Sequence, residues 1–269
     1  MVLAVSARDA DWNASAYHRV SAPQTAWGLE VLDRLRLRGD ETVLDAGCGP
    51  GKLTAVLAAR LDRGRVLALD SSPQMLAVAR RELARFGSKV ELIQATLPDL
   101  PLPGAVDAIV STATLHWVLD HPALFRAFRD VLRPGGQLEL QCGGAGNLHR
   151  FHGRALGLAA TPEFRDAFLG WTDPWCLADA EVTAGRLAAT GLVEVRAWLE
   201  PRPTHYPSAA AFADFTSHVV LRPFLARLEP ERARRFTELL TDAAGRDEPP
   251  YVLDYIRLNA SARAPGGVR

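Results

Sequence analysis

The stretch Val43-Leu44-Asp45-Ala46-Gly47-Cys48-Gly49-Pro50-Gly51 constrains this chain more than any other. An apolar run ends on an acid, glycines alternate with other residues, and helical spacing begins at Leu53. Glycine removes side chains where the backbone must turn sharply and let a ligand come close. The helix that follows aims its free N–H groups and its positive end at that ligand. After a further spacer of the length seen in nucleotide-binding folds, Asp70 closes the second apolar run. A carboxylate there can accept both hydroxyls of a ribose.

The surrounding hundred residues alternate between two periods. Short runs at Thr42–Leu44, Val66–Leu69, Val90–Ile93, Ala108–Val110 and Gln137–Gln141 read as strands. Helical segments separate them. Leu53, Val56, Leu57 and Leu61 share one face, and Ser72-Pro73 offers an N-cap with proline behind it, with Gly87 as the stop. A third helix spans Pro122–Leu132, and an earlier one runs from about Pro23 to a stop at Gly39. Strands alternating with helices imply a parallel sheet with right-handed crossovers. Beyond Gly143 the pattern changes. Leu148–Pro174 reads as helical cap material, Ala180–Thr190 as a crossover helix and Leu192–Leu199 as a strand. Helices are expected at Ser208–Leu228 and Pro230–Ala244, and a final strand at Tyr251–Asn259.

A nicotinamide or flavin oxidoreductase shares this layout, but its fingerprint is G-x-G-x-x-G, and Lys52 occupies the third glycine position. Asp45, ending the first strand, would also repel a pyrophosphate. Composition narrows the field further. With 31 basic and 31 acidic residues the formal net charge is +0, so the overall field suits neither nucleic acid nor an anionic membrane. Cys48, Cys142 and Cys176 are far apart and form no CxxC pair, which points to reduced thiols, a cytoplasmic setting and no zinc knuckle. No stretch of about 18 apolar residues is present to span a membrane.

VLDAGCGPG resembles motif I of the class I S-adenosylmethionine-dependent methyltransferases. Val66–Asp70, Asp107–Ser111 and Leu132-Arg133-Pro134-Gly135-Gly136 fall in that family's order, so the resemblance covers about Gly39 to Cys142. It implies an α/β fold, a Rossmann-like doubly wound sheet of seven strands with the last antiparallel, carrying a helical cap and insertion. The chain would be a single methyltransferase domain over 1–269, with an N-terminal lid at 1–38, a cofactor-binding core at 39–142, and substrate cap and insertion at 143–178 and 201–249. Carried over residue by residue, Asp45, Gly47 and Gly49 face the methionine portion of S-adenosylmethionine, and Asp70 holds its ribose. Ser71 and Met75 flank the adenine, and Ser111 offers a backbone carbonyl to the cofactor's amino group. Where the family often has Asp and a small residue, this chain has Gln94-Ala95, whose amide oxygen can still accept from the adenine amino group.

The fourth strand runs into Thr114-Leu115-His116-Trp117, which in this fold borders the transferable methyl group. His116 is the candidate general base or hydrogen-bond donor, and Trp117 an aromatic wall or a cover for the cofactor. Tyr17-His18-Arg19 and Gln24 read as a lid. With His116-Trp117 this piece resembles the trans-aconitate methyltransferase-like branch, which esterifies small carboxylic acids, and Arg19 could grip a substrate carboxylate. The expected activity is methyl transfer to a small-molecule acceptor by in-line displacement. The alternative is a binding or pathway protein that uses the cofactor without transferring methyl. A carboxylate acceptor needs no base, whereas a phenol, amine or carbon acid would draw on His116 or His18. The cap aromatics Phe164, Phe168, Trp171 and Trp175 suit either a planar substrate or the cap's own core. No metal site is expected, since no nearby cysteine or carboxylate completes a set with His149 and His152.

Overall fold

The apolar runs become strands of one seven-stranded sheet in the computed structural model, which describes Ala14 and residues 22–266. They are β1 (Thr42–Ala46), β2 (Arg65–Asp70), β3 (Val90–Gln94), β4 (Val106–Thr112), β5 (Leu132–Gly143), β6 (Val193–Pro201) and β7 (Ile256–Arg263), in the order β3-β2-β1-β4-β5-β7-β6. β1 pairs in parallel with both β2 and β4, Val43 lying opposite Val66 on one side and Ala108 on the other. β7 runs antiparallel to β5, from Gly143 opposite Arg257 to Gln137 opposite Arg263. Strand order reverses between β1 and β4. Ligands bind such sheets in the crevice beyond the carboxyl ends at that point.

The helices are α1 (Ala22–Leu32), α2 (Lys52–Arg60), α3 (Pro73–Leu83), α4 (His121–Val131) and α5 (Ala180–Ala188). Their starts follow from side-chain caps. The Ser72 hydroxyl accepts from Met75 N–H, Asp120 from Ala123 N–H and Asp179 from Glu181 N–H, and prolines sit in the first turns of α3 and α4. Alternation along the strands sends neighbours to opposite faces. Val43, Val66 and Ala108 join Val31, Leu32, Leu57 and Leu61 in one core layer. Leu44, Leu67 and Ile109 join Leu124, Phe125, Phe128 and Leu187 in the other. Both faces of the sheet are therefore covered, as continuous apolar strands require.

By its internal contacts the chain divides into two units. The sheet unit comprises Ala22–Ala145, Trp175–Glu200 and the strand from Arg257 onward. Residues 22–38, expected as part of a lid, pack here: Arg34 donates to Glu139 at 2.8 Å and to Asn259 at 3.0 Å. The other unit, Gly146–Pro174 and Pro201–Ile256, is mainly helical. Its helices are His149–Ala159, Ala209–Phe215 and Pro230–Gly245, with a short turn of helix at Arg222–Leu225.

The first helix ends at Leu32, short of the expected stop at Gly39, and β5 starts at Leu132 rather than Gln137; three further differences lie beyond Gly143. The helix expected over Ser208–Leu228 is broken by a π-turn at Thr216–Val220 ahead of Pro223, whose ring cannot continue an α ladder. Leu148–Pro174 holds one α-helix, a 3₁₀ turn at Arg165–Phe168 and then extended chain. The last strand starts at Ile256 rather than Tyr251, because Val252–Leu253 pairs with Thr204–His205 in a separate two-stranded sheet. Among the described residues no helix is long and apolar enough to cross a membrane.

Candidate active site

The glycine loop between β1 and α2 is held by backbone bonds to the neighbouring strand. Gly47 and Cys48 both donate to the Leu69 carbonyl, at 2.8 and 2.9 Å. Gly47 has φ +86°, and a Cβ there would overlap the Thr114 side chain, whose hydroxyl donates to the Gly47 carbonyl at 3.3 Å. No other residue fits both the dihedral and the space. Gly49, at φ +53°, has open space on its Cβ side, leaving a bare backbone at the end of β1.

Two carboxylates flank this loop. Asp45 is 2% exposed and accepts the Thr54 hydroxyl at 2.6 Å. Burial raises its carboxyl from 3.8 to about 6, the Thr54 bond opposing the rise and the Asp70 charge adding to it. Asp70 is half-buried at the end of β2, and one oxygen accepts Gly49 N–H while the other accepts Ser72 N–H, both at 2.9 Å. Burial raises this carboxyl as well, against the Ser72, Gly49 and Ser71 backbone bonds that lower it. A carboxylate has about four lone-pair sites, so these backbone donors leave it accepting capacity to spare. Two acids held this close in a desolvated place favour a ligand that brings positive charge and hydroxyl donors.

The other expected residues gather at the same end of the sheet. Met75 is buried under the Ser72 cap, and Ser71 is exposed beside Asp70. Gln94 is exposed opposite Asp70 in the β2–β3 register, and Ala95 N–H donates to the Asp70 carbonyl at 3.2 Å. Ser111 is buried, and its hydroxyl ties β4 to the Ala46 carbonyl at 2.6 Å. His116 and Trp117 form a 3₁₀ turn after β4, their rings 5.3 Å apart, with Trp175 edge-on to Trp117 at 5.7 Å. Tyr17, His18 and Arg19 lie outside the described residues.

His116 differs from an ordinary histidine. Gly143 N–H donates to its Nδ1 at 3.4 Å, which places the ring proton on Nε2. The residue keeps partial exposure, yet desolvation of the ring, then the Arg257 charge, then His121 push its value from 6.5 down to about 3. Arg257 was not singled out by sequence reasoning. It falls inside the strand expected over Tyr251–Asn259, where nothing local marks it as interior. Thr54 and Thr114, which fix Asp45 and Gly47, were also missed and carry no local signature.

The cap aromatics are packed on one another. Phe164, Phe212, Phe224 and Phe236 are fully buried, Phe224 stacks on Phe236 at 5.7 Å, and Trp171 meets Phe224 at 4.9 Å. They form the core of their unit. His152 Nε2 lies 3.0 Å from Asp173, a carboxylate that sequence reasoning had not brought to it. Among the described residues no three His, Cys, Asp or Glu side chains are grouped to hold a metal.

Residues 43–136 match the methyltransferase domain family. Trans-aconitate 2-methyltransferase of Methylobacterium radiotolerans is 32% identical over 254 residues, covering 90% of this chain and 92% of that protein. The chain belongs to the class I S-adenosylmethionine-dependent methyltransferases, in their trans-aconitate methyltransferase-like branch. The protein of the same name from Deinococcus radiodurans is 32% identical over 85% of this chain and 88% of its own length. Among solved structures, Haemonchus contortus phosphoethanolamine N-methyltransferase 2 in complex with S-adenosyl-L-methionine superposes with TM-score 0.63 at 17% identity, over 97% of this chain and 60% of that one. The chain is thus a methyltransferase enzyme, and its cofactor is S-adenosylmethionine. The paired acids Asp45 and Asp70 and the bare Gly49 backbone fit that cationic, ribose-bearing molecule, and they do not fit a pyrophosphate.

Proposed function

We propose that this methyltransferase forms methyl esters on a small polycarboxylic acid, trans-aconitate being the acceptor named for its relatives. The observation that carries the reading is His116. A ring held neutral, with Nδ1 committed to Gly143 N–H, is a poor proton acceptor at neutral pH. An acceptor that arrives already ionised asks nothing of that ring, and a carboxylate does so where a phenol, amine or carbon acid does not.

S-Adenosylmethionine, when bound, supplies a methyl group already activated on a sulfonium. The chain's part is to hold, orient and exclude water. Asp70 would take the ribose hydroxyls on the lone pairs that Gly49 and Ser72 leave free, and Asp45 would face the α-amino group across Gly47 and Gly49. Ser71 and Met75 would flank the adenine, Gln94 and Ala95 its amino group, and Ser111 would turn its carbonyl to the methionine end. Trp117 would wall the reacting carbon, and His116 would steady the acceptor as an Nε2–H donor. A carboxylate held there would take the methyl group as the carbon–sulfur electron pair returned to sulfur, and the chain would have no proton to remove. A free acid, handled in the reducing cytoplasm, suits the balanced charge and the free thiols Cys48, Cys142 and Cys176.

The test is direct. Purified protein with S-adenosylmethionine and trans-aconitate should release S-adenosylhomocysteine in step with a monomethyl ester seen by mass spectrometry. Turnover of phenols or amines with none of any polycarboxylic acid would defeat the reading.

A further inference from the structure

Arg257 is 2% exposed, at the start of the antiparallel strand β7. Because β7 runs against its neighbours, its beginning lies where β4 and β5 end, and Arg257 stands opposite Gly143 in the register. Gly143 is the residue whose N–H reaches His116. The guanidinium lies over the Trp27 ring at 5.0 Å, and its charge reaches two groups here, adding to the burial that lowers His116 and opposing the burial that raises the Cys142 thiol.

Farther along the strand, Asn259 and Ser261 are bonded within the sheet. Asn259 receives Arg34 at 3.0 Å and Gln141 at 3.2 Å, and Ser261 donates to Glu139 at 2.6 Å. Arg257 ends this ladder at the ligand-binding edge of the sheet, with an aromatic ring to keep its plane oriented and a neutral N–H donor beside it. A planar fork of donors set next to a second donor matches a carboxylate, which it can grip with two parallel bonds.

We infer that Arg257 is the anchor for a second, non-reacting carboxylate of the acceptor, and so sets the preference for di- and tricarboxylic acids over monocarboxylic ones. This rests on the ester-forming reading above. It gives the carboxylate-gripping role, expected of Arg19 from the sequence, to a residue on the sheet itself. His116, as Nε2–H donor, shares the anion with Arg257, and the acceptor's other carboxylate is left to meet the methyl group. The reacting carboxylate keeps its nucleophilicity because the strongest cation holds its neighbour.

The experiment compares acceptors of equal chain length bearing three, two and one carboxylates. In the wild type the monocarboxylate should show a KM about 100-fold above that of the dicarboxylate, the scale of one lost charge-assisted bond pair. Arg257→Gln should raise KM for the polycarboxylates by about 100-fold and leave the monocarboxylate unchanged, with kcat within about threefold. Calorimetric affinity for S-adenosylhomocysteine should match the wild type, which a merely misfolded variant would not. Arg257→Lys, which keeps a point charge without the fork, should recover about tenfold of the loss. Equal KM for mono- and dicarboxylates in the wild type overturns the inference whether or not the Gln variant folds, as does unchanged selectivity in either variant. If the wild type esterifies no carboxylic acid at all, the ester-forming reading itself has failed. Esters formed without Arg257-dependent selectivity overturn the anchor alone.

Discussion

Replacing Asp45 with asparagine should stabilise the protein and weaken its hold on the cofactor. The folded carboxyl sits at about 6 against 3.8 for an ordinary one, chiefly through burial, opposed by the Thr54 bond and assisted by the Asp70 charge. Because the folded value is raised, the native chain keeps a proton that the unfolded chain has lost between these two pH values. Below 3.8 both states are protonated and the acid costs nothing; above about 6 both are ionised and the native state bears the whole cost. A rise of roughly two units corresponds to at most ~3 kcal/mol at ~1.36 kcal/mol per unit. Asparagine keeps an oxygen to accept the Thr54 hydroxyl and carries no charge. Asp45→Asn should therefore be more stable than the wild type by up to ~3 kcal/mol at neutral pH, with the advantage fading toward zero as pH falls to 3.8. Urea unfolding of both proteins across this range measures the difference directly. Calorimetry should show S-adenosylhomocysteine binding weakened by about 10- to 100-fold, the cost of a lost charge-assisted bond. A variant less stable than wild type at neutral pH, with the same pH slope, would refute the argument that Asp45 is held there for the ligand at the fold's expense.

Gly47→Ala places a methyl group on the Thr114 side chain at φ +86°. It should cost about 1–3 kcal/mol of stability and lower cofactor affinity, read by unfolding and calorimetry, and wild-type values in both would show that the loop tolerates bulk. His116→Gln keeps an N–H donor without a titrating ring. It should retain turnover within about tenfold, and kcat at saturating cofactor should stay flat from pH 6 to 8 in both proteins; a rising limb lost in the variant would restore His116 as a base. In the helical unit Arg154 grips Asp247 with two bonds of 2.7 and 2.6 Å, holding that carboxyl below its usual value. Asp247→Asn should cost about 1–3 kcal/mol at neutral pH. Since the folded value is lowered, the wild-type contribution is whole above 3.8 and lost as pH falls below it, so the two unfolding curves should converge in acid.

The cofactor half of the fold was legible because each signal there is local. Glycines mark the turn, Ser72-Pro73 and Asp120-His121-Pro122 mark helix starts, and parallel strands buried on both faces read as unbroken apolar runs. The seventh strand was legible as a strand yet misplaced by several residues, because it carries the buried Arg257 and Asn259 and the half-buried Ser261. Asn259 and Ser261 are satisfied by Arg34, Glu139, Gln141 and Glu200, all brought in from elsewhere along the chain. No window of sequence shows that such a strand can be interior. Val252–Leu253, the more apolar pair, was drawn into the strand by hydropathy and is used elsewhere.

The same distance separates the parts of the site that were seen from those that were not. Asp45 and Asp70 could be named from their place after apolar runs, but the rise in both carboxyls comes from burial, which only the folded packing creates. His116 could be named from its position after β4, while its role turns on Gly143 and Arg257, which reach it only through the pairing of β5 with β7. On the ester-forming reading, with the ring's basicity lowered by burial and by that cation, the fold would offer the acceptor positioning and charge rather than a base. An already ionised carboxylate requires no more, and the proposed anchor would tie the choice of acceptor to the antiparallel strand rather than to the glycine loop that first identifies the family.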